Sequence, residues 1–448
     1  MASRCEDIVL PNRPTSTRAV RVWWHLGREI TWILVGHVVS VAGAVIGIRL
    51  VTHVLKPDSY GQLALGNTVA LLASQTILAP LGEAAARAYA PAQEAGALQE
   101  FFRATQKLVC RVTAGLLGLG SVAMLVVWIE AGSKWGIFTL AVVGFALVSG
   151  YGAILDRIQA AARNRKVVAL HQALGQWLRP LAVVLVAIAV DANGASAMLS
   201  YFIAAVVILS SQYILFRLNF RRGMDGQPQE RQVDGIVRNM LMYAAPFASW
   251  GLFTWAQLSS DRWALQFFSG FTQVGLYSVA LQIGSYPMNM LSTLMLEFSS
   301  PFLYSVAGDG QNPDRVNRAL TLSLYVCGIA GIVMAVWLGA TFFFRTEILG
   351  VFAAPEYRDA ATLLPILAVG SCFYNLGQLA SIGPMIRVSP KRLVPAKIST
   401  ATLVALSNVV TAAKWGAVGV AVASAGVSCV YCAWTLALCL KSFYPRNS

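Results

Sequence analysis

The sequence predicts an all-α, polytopic membrane protein of about twelve transmembrane helices, arranged as two six-helix halves. Three observations carry that prediction. The chain is 57% hydrophobic and only 12% charged, against about 25% charged residues in an ordinary globular domain. Uncharged runs of membrane length recur, among them a 22-residue run at 239–260 and a 34-residue run at 263–296, where one span needs about 20 residues. Finally, a single extended polar stretch in mid-chain, FRRGMDGQPQERQVDG at 220–235, divides the apolar runs six and six. A soluble enzyme with a water-facing shell is excluded.

Taken in order, a basic head (1–29) holds Arg4, Arg13, Arg18, Arg21 and Arg28, with Trp23 and Trp24 close to the first apolar run. That run has no small-residue cleavage site and outlasts a signal-peptide core, so it reads as a retained span with an interfacial tryptophan belt. An N-terminal six-helix bundle follows over 30–219, with spans near 30–54, 61–82, 105–128, 135–156, 168–190 and 195–217. After a linker at 220–237, a second bundle covers 238–440, with spans near 238–260, 272–298, 318–344, 360–385, 394–413 and 416–440. A short tail, 441–448, closes the chain. Prolines inside several spans (Pro80, Pro180, Pro246, Pro287, Pro365, Pro384) are tolerated as kinks in membrane helices.

Lysine and arginine set the orientation. Alternate connections divide them so that 26 of the 34 fall on one side and six on the other, with Arg49 and Arg179 left inside spans. The rich side is expected to be cytoplasmic, which puts both termini there. The net charge of +14 is thereby topological, and nucleic acid is not an expected partner. Six spans per half make both halves start from the same side, the pattern of parallel repeats. Two matches support a repeat: Gly61 and Gly275 are 214 residues apart, and so are Glu83 and Glu297.

No enzyme constellation stands out. The sequence has no phosphate-binding G-x-x-x-x-G-K-[ST] loop and no H-E-x-x-H. Cys429 and Cys432 form a C-x-x-C with no second Cys or His pair, so no zinc site is expected. No cofactor is expected; proton or sodium coupling is left unassigned. The informative residues are ionisable groups at membrane depth, where an arginine costs about 2.5–3.5 kcal/mol on insertion scales. Arg179 lies mid-span beside Pro180, and its competing reading is a structural arginine bonded to carbonyls that the proline frees. Arg49 lies in the outer half of span one, with His53 one turn further on the same face. Asp261 and Arg262 read as a lumen-facing pair or as the charges that end a helix. Glu83 and Arg87, at i and i+4, are expected to pair near the cytoplasmic mouth. Trp250, Trp255, Tyr286 and Tyr374 are the aromatic candidates for a lumen.

Four segments together resemble the Wzx-type flippases of the multidrug/oligosaccharidyl-lipid/polysaccharide (MOP) exporter superfamily. They are LKPDSYGQLAL (55–65) with LGEAAARAY (81–89), DRWALQFFSGFTQVGLYSVA (261–280), VFAAPEYRDAATLLPIL (351–367) and SNVVTAAKWGAVGVAVASAGVS (407–428). His53 departs from the pattern, which often has Arg or Lys ahead of the first segment. The resemblance implies two bundles facing each other around a central cavity and an alternating-access cycle. It implies as substrate an oligosaccharide repeat on undecaprenyl diphosphate, flipped to the outer leaflet of a bacterial inner membrane for O-antigen, capsule or exopolysaccharide export. Membrane lipids and polysaccharide polymerase and chain-length machinery are the implied partners. The substrate-binding candidates are then Arg179, Arg49, Arg262, Asp261, His53, Arg87 and Glu83. A diphosphate needs persistent positive charge away from bulk water, which arginine supplies. The rival readings are a multidrug or toxin extruder of the same superfamily and, from a different class, a membrane-embedded glycan polymerase. Spans one, three, five and six hold no deep acidic residue of the kind a cation extruder needs, which favours an anionic substrate.

Overall fold

A computed structural model describes residues 16–224, 230–308, 312–387 and 390–443. The first half of the basic head, the centre of the linker and most of the C-terminal tail lie outside the described residues. The elements are α1 (Ser16–Val54), α2 (Pro57–Glu94), α3 (Leu98–Ala131), α4 (Ser133–Ala161), α5 (Arg165–Ala189) and α6 (Gly194–Met224). A 78-residue helical run, Glu230–Ala307, is broken at Gly270 into α7 (230–269) and α8 (271–307). Then come α9 (Pro313–Phe343) and α10 (Leu364–Ile386), separated by a short helix Arg345–Phe352 and a 3-10 segment Pro355–Thr362. The last run, Leu393–Lys441, is broken at Gly416 into α11 (393–415) and α12 (417–441). Gly270 and Gly416 hold φ of 80° and 56°, a region where a Cβ is strained. Among the described residues these make twelve helices, and nine helical stretches are long and apolar enough to cross a membrane.

Helix ends differ from the sequence reading in a consistent direction. Helix α1 begins at Ser16, well before the apolar run. The expected linker is helical wherever it is described, because α6 continues to Met224 and α7 is helical from Glu230. Lys107 on α3 anchors that start through Asp234 (2.7 Å) and Glu230 (3.8 Å). Helix α7 also runs past Asp261 and Arg262 to the break at Gly270, so that pair does not end a helix.

The first six helices pack on one another and the last six do the same, giving two lobes. Their outer faces reverse the soluble pattern: Ile188 is 76% exposed and Val336 70%, as lipid-facing residues are. Between the lobes the most extensive contact is α2 against α7 and α8. It requires two glycines. A Cβ on Gly61 would strike the carbonyl of Phe271, and a Cβ on Gly275 would strike the carbonyl of Pro57. The two contacts are equivalent under the 214-residue repeat, since Pro57 and Phe271 are separated by the same interval.

One apolar cluster crosses the lobe boundary at this end, joining Val51, Leu55 and Leu63 to Leu265, Val274, Tyr357 and Val420. A second cluster holds the start of α7 (Val233, Val237, Met240) against the N-terminal lobe, and two more are confined to the C-terminal lobe. The lobes are therefore joined most fully at the arginine-poor end.

Two measurements follow. Alanine at Gly275 meets a backbone carbonyl that cannot rotate away, so Gly275→Ala should cost about 1–3 kcal/mol and lower the Tm in detergent. Gly115→Ala, with nothing within 4 Å of its Cβ position, should leave the Tm unchanged or raised. For orientation, in a background lacking Cys110, cysteines at exposed Ser133, Asp191 and Glu356 should react with an impermeant maleimide outside cells. Those at Ala95 and Asp314 should not, and the reverse pattern would invert the topology.

Candidate functional site

Helix α5 carries a polar stripe on an apolar span: Gln172, Gln176 and Arg179, at i, i+4 and i+7, share one face. Helix α1 seats the neighbouring face through two glycines. A Cβ on Gly43 would lie 2.7 Å from the Trp177 ring, and one on Gly47 would lie 2.9 Å from Pro180. This close approach, of the kind that small residues permit between membrane helices, fixes the rotation of α5 and turns the stripe inward.

The stripe lines a cavity of about 330 Å³ inside the N-terminal lobe, closed by His37 of α1, Asp156 of α4 and Gln212 of α6. Gln212, 1% exposed, donates to Asp156 Oδ1 (2.6 Å) and to the Gly152 carbonyl (3.1 Å). His171 places Nδ1 2.8 Å from the Val167 carbonyl and Nε2 3.4 Å from Ser211 Oγ. Arg179 also lines a smaller void of about 110 Å³ with Tyr60, Tyr201, Gln282 and Tyr286. The last two belong to α8, so Arg179 stands where the lobe's own cavity meets the space between lobes.

The Arg179 guanidinium lies 5.3 Å from the centre of the Phe145 ring. Its Nε is buried without a hydrogen-bond partner. Among the described residues it makes no ion pair and no hydrogen bond to a backbone carbonyl, so the carbonyl-capping role beside Pro180 is not what the geometry shows. A buried donor left unmade costs about 1–3 kcal/mol, more when charged. That cost falls away once an anion accepts from it.

The other expected site residues are not gathered there. Arg49 is exposed and donates through Nη1 to the carbonyls of Gly350 (3.0 Å) and Val351, at the end of the short helix Arg345–Phe352. It is a bond between lobes. Thr52 accepts from the Ala354 amide (3.1 Å), and Tyr357 Oη donates to the Leu55 carbonyl (2.8 Å), extending the same seam. His53 is exposed in the last turn of α1 and lines neither cavity. Asp261, 7% exposed, accepts from the Arg262 amide (2.7 Å), and the two side chains approach to 3.9 Å. Glu83 pairs with Arg157 at 3.0 Å and not with Arg87, because α4 crosses α2 on the Glu83 side. Arg87 faces a separate void of about 500 Å³ between α2 and α7.

Sequence reading missed Asp156, His37, Gln172, Gln176 and Gln212. Asp156 fell at the edge of span four, and the glutamines were passed over as uncharged. Their helical spacing on α5 was the available signal. Asp156 reaches the cavity from span four, which lies outside the expectation that spans one, three, five and six hold no deep acid. Lys397 was also misplaced. Counted with the basic loops, it is 4% exposed inside the C-terminal lobe. It donates to Tyr374 Oη (3.0 Å) and lies 5.1 Å and 5.8 Å from the Tyr374 and Tyr431 ring centres. Tyr374, an aromatic candidate for the lumen, is thus engaged by Lys397.

No family model matches the sequence, and no curated protein matches it. Solved structures do. An inward-facing multidrug-resistance MATE transporter of the MOP superfamily superposes with a TM-score of 0.65 at 16% identity, over 90% of this chain and 94% of the other. The lipid II flippase MurJ, in an inward closed conformation, gives 0.62 at 14% identity, over 93% and 88%. The MATE multidrug transporter DinF-BH, solved as a complex, gives 0.61 at 13%, over 93% and 96%. The chain therefore has the two-lobed helical fold of these transporters.

The seam at Arg49 yields a further expectation. Its contact is charge-assisted but exposed, so Arg49→Ala should shift the balance toward an opened seam by about tenfold, the low end of such bonds. Labelling of a cysteine placed at Gln282, which lines the inter-lobe void, should accelerate accordingly. An unchanged labelling rate would show that Arg49 does not hold the lobes together.

Proposed function

We propose that the protein is an alternating-access flippase for an oligosaccharide repeat linked to a polyprenyl diphosphate. In this reading it moves its substrate from the inner to the outer leaflet of a bacterial inner membrane, with both termini cytoplasmic. The observation that carries the reading is Arg179: a guanidinium within the span, without a carboxylate partner among the described residues, opening on a glutamine-rich cavity and on the inter-lobe void. A diphosphate satisfies that cation. Gln172, Gln176 and Gln212 suit sugar hydroxyls, and the polyprenyl chain stays in lipid. No bond is made or broken; the work is translocation. Polysaccharide polymerase and chain-length machinery are the proposed partners downstream.

The seam of Arg49, Thr52, Leu55 and Tyr357 closes the arginine-poor end. If that end is periplasmic, the conformation faces the cytoplasm. Arg49 then acts as a gate residue, and Glu83 with Arg157 as a brace inside the N-terminal lobe.

A second reading is favoured by Asp156. A carboxylate in the N-terminal cavity, held by Gln212, suits a cation or a coupling proton, as a multidrug extruder would require. The two readings separate cleanly. Asp156→Asn should abolish resistance to organic cations if extrusion is the function, whereas Arg179 variants should leave it intact.

The test of the main reading is glycan reaching the cell surface, normalised to folded protein in the membrane. Arg179→Lys keeps the charge and should retain partial export. Arg179→Gln keeps donors without charge, and Arg179→Ala keeps neither; each should lose roughly ten- to hundredfold in substrate binding, the equivalent of about 1.5–3 kcal/mol. Full normalised export by Arg179→Ala would remove the residue from the translocation path.

A further inference from the structure

Helix α3 is loosely held. Apart from Gly120, its buried residues are Phe101, Phe102, Ala104 and Leu108, all in its first three turns. Beyond them it leaves Leu119, Val122 and Ile129 exposed. It meets α6 through Phe102 against Phe216 and Phe220, with ring centres 5.7 Å and 5.6 Å apart. Next to that contact, α3, α4 and α6, with Glu230 at the start of α7, line an open cleft of about 1070 Å³, on the far side of α4 from the polar cavity of Arg179. A ligand pocket of ordinary size is about 300–1,000 Å³.

The lining changes character along the membrane normal. At the basic end stand Arg103 on α3 and Arg217 on α6. Deeper lie Val109 on α3, Leu155 on α4 and Leu209 on α6. The separation from Arg103 to Val109 is about 9 Å, and from Arg217 to Leu209 about 12 Å, at 1.5 Å per residue. The neighbouring cations are already engaged. Lys107 binds Asp234 and Glu230, and with Arg111 it holds the Asp234 carboxyl below its usual range. Among the described residues, Arg103 and Arg217 pair with no carboxylate.

We propose that this cleft binds an anionic phospholipid, with its phosphate between Arg103 and Arg217 and its acyl chains along Val109, Leu155 and Leu209. Two arginines at the basic end of a cleft whose deeper wall is Val109, Leu155 and Leu209 with Tyr151 and Ser210 match a negative headgroup joined to hydrocarbon. A zwitterionic lipid fills the slot and leaves the arginines uncompensated. The lipid also supplies the packing that α3 lacks within the chain. The cleft shares Leu209 with the Arg179 cavity and otherwise has its own lining, and the proposal does not depend on what crosses the membrane.

The test is lipid retention by the full-length protein, measured by native mass spectrometry after delipidation and titration. Phosphatidylglycerol and phosphatidylcholine of identical acyl chains are compared. The wild type should prefer phosphatidylglycerol, and Arg103→Gln with Arg217→Gln should lose that preference by roughly tenfold to thirtyfold, two surface charges' worth. Arg103→Lys with Arg217→Lys keeps the charge and should keep the preference. Val109→Trp, filling the apolar end, should weaken both lipids equally, while an unchanged Tm without added lipid shows that the fold is intact. Equal retention of the two lipids by the wild type would overturn the proposal. So would wild-type preference in the double Gln variant, or competition by millimolar inorganic phosphate. Tighter retention of a polyprenyl phosphate than of phosphatidylglycerol would also overturn it, and would make the cleft part of the substrate's route.

Discussion

Gly61 against the Phe271 carbonyl and Gly275 against the Pro57 carbonyl are the contacts on which the arrangement of the lobes depends. Backbone on backbone is the closest approach two helices make, and only a residue without a Cβ permits it. In lipid there is little hydrophobic drive to bring helices together, so association rests on packing and on hydrogen bonds between lobes. The glycine pair supplies the packing. The bonds gather around it: Trp255 Nε1 donates to the Thr68 carbonyl (2.7 Å), Trp263 Nε1 to Thr68 Oγ1 (2.9 Å), and Tyr60 Oη to Gln282 Oε1 (3.2 Å). Because the two glycine contacts are repeat-equivalent, they define a pseudo-twofold axis, and each lobe presents the other with its own equivalent part.

The repeat does not extend to the charges. Glu83 and Glu297 occupy equivalent positions, yet Glu83 pairs with Arg157 inside its own lobe. Glu297 approaches His37 of the opposite lobe at 4.0 Å. A symmetric frame with asymmetric ion pairs lets the two lobes share a packing geometry while differing in their polar contacts. The contact between His37 and Glu297 matters because His37 also lines that cavity. One side chain thus belongs both to the N-terminal polar site and to the boundary between lobes.

The frame was legible in the sequence because hydrophobicity and length are written locally. Twelve spans, the six-and-six division, the turn at Gly270 and the pairing of Gly61 with Gly275 by interval could all be read without coordinates. The site was legible only in part. Arg179 announced itself as a charge in an apolar run, but its neighbours are uncharged glutamines that composition does not flag. Arg49 showed the same intramembrane signature, yet its guanidinium reaches carbonyls some 300 residues away. Local sequence cannot report a partner at that distance. Lys397 failed for the opposite reason: close to a loop in sequence, it counted as topological charge, whereas its long side chain turns inward beside the stacked Tyr374 and Tyr431.

That lysine bears on how the lobes divide their work. Helices α4, α5 and α6 hold the N-terminal polar group, and their repeat counterparts α10, α11 and α12 hold Tyr374, Lys397 and Tyr431. In the N-terminal lobe the polar residues surround open space. In the C-terminal lobe the tyrosines stack 5.4 Å apart, and Gln378 joins both hydroxyls, accepting from Tyr431 at 2.8 Å and donating to Tyr374 at 3.0 Å. Cation–π attraction of about 0.5–2 kcal/mol per ring, with the hydrogen bond, offsets the burial of the ammonium without any carboxylate among the described residues. In the C-terminal lobe these polar side chains are bound to one another. The glutamine-lined cavity thus belongs to the N-terminal lobe, and Gln282 and Tyr286 of α8 line the smaller void beside Arg179.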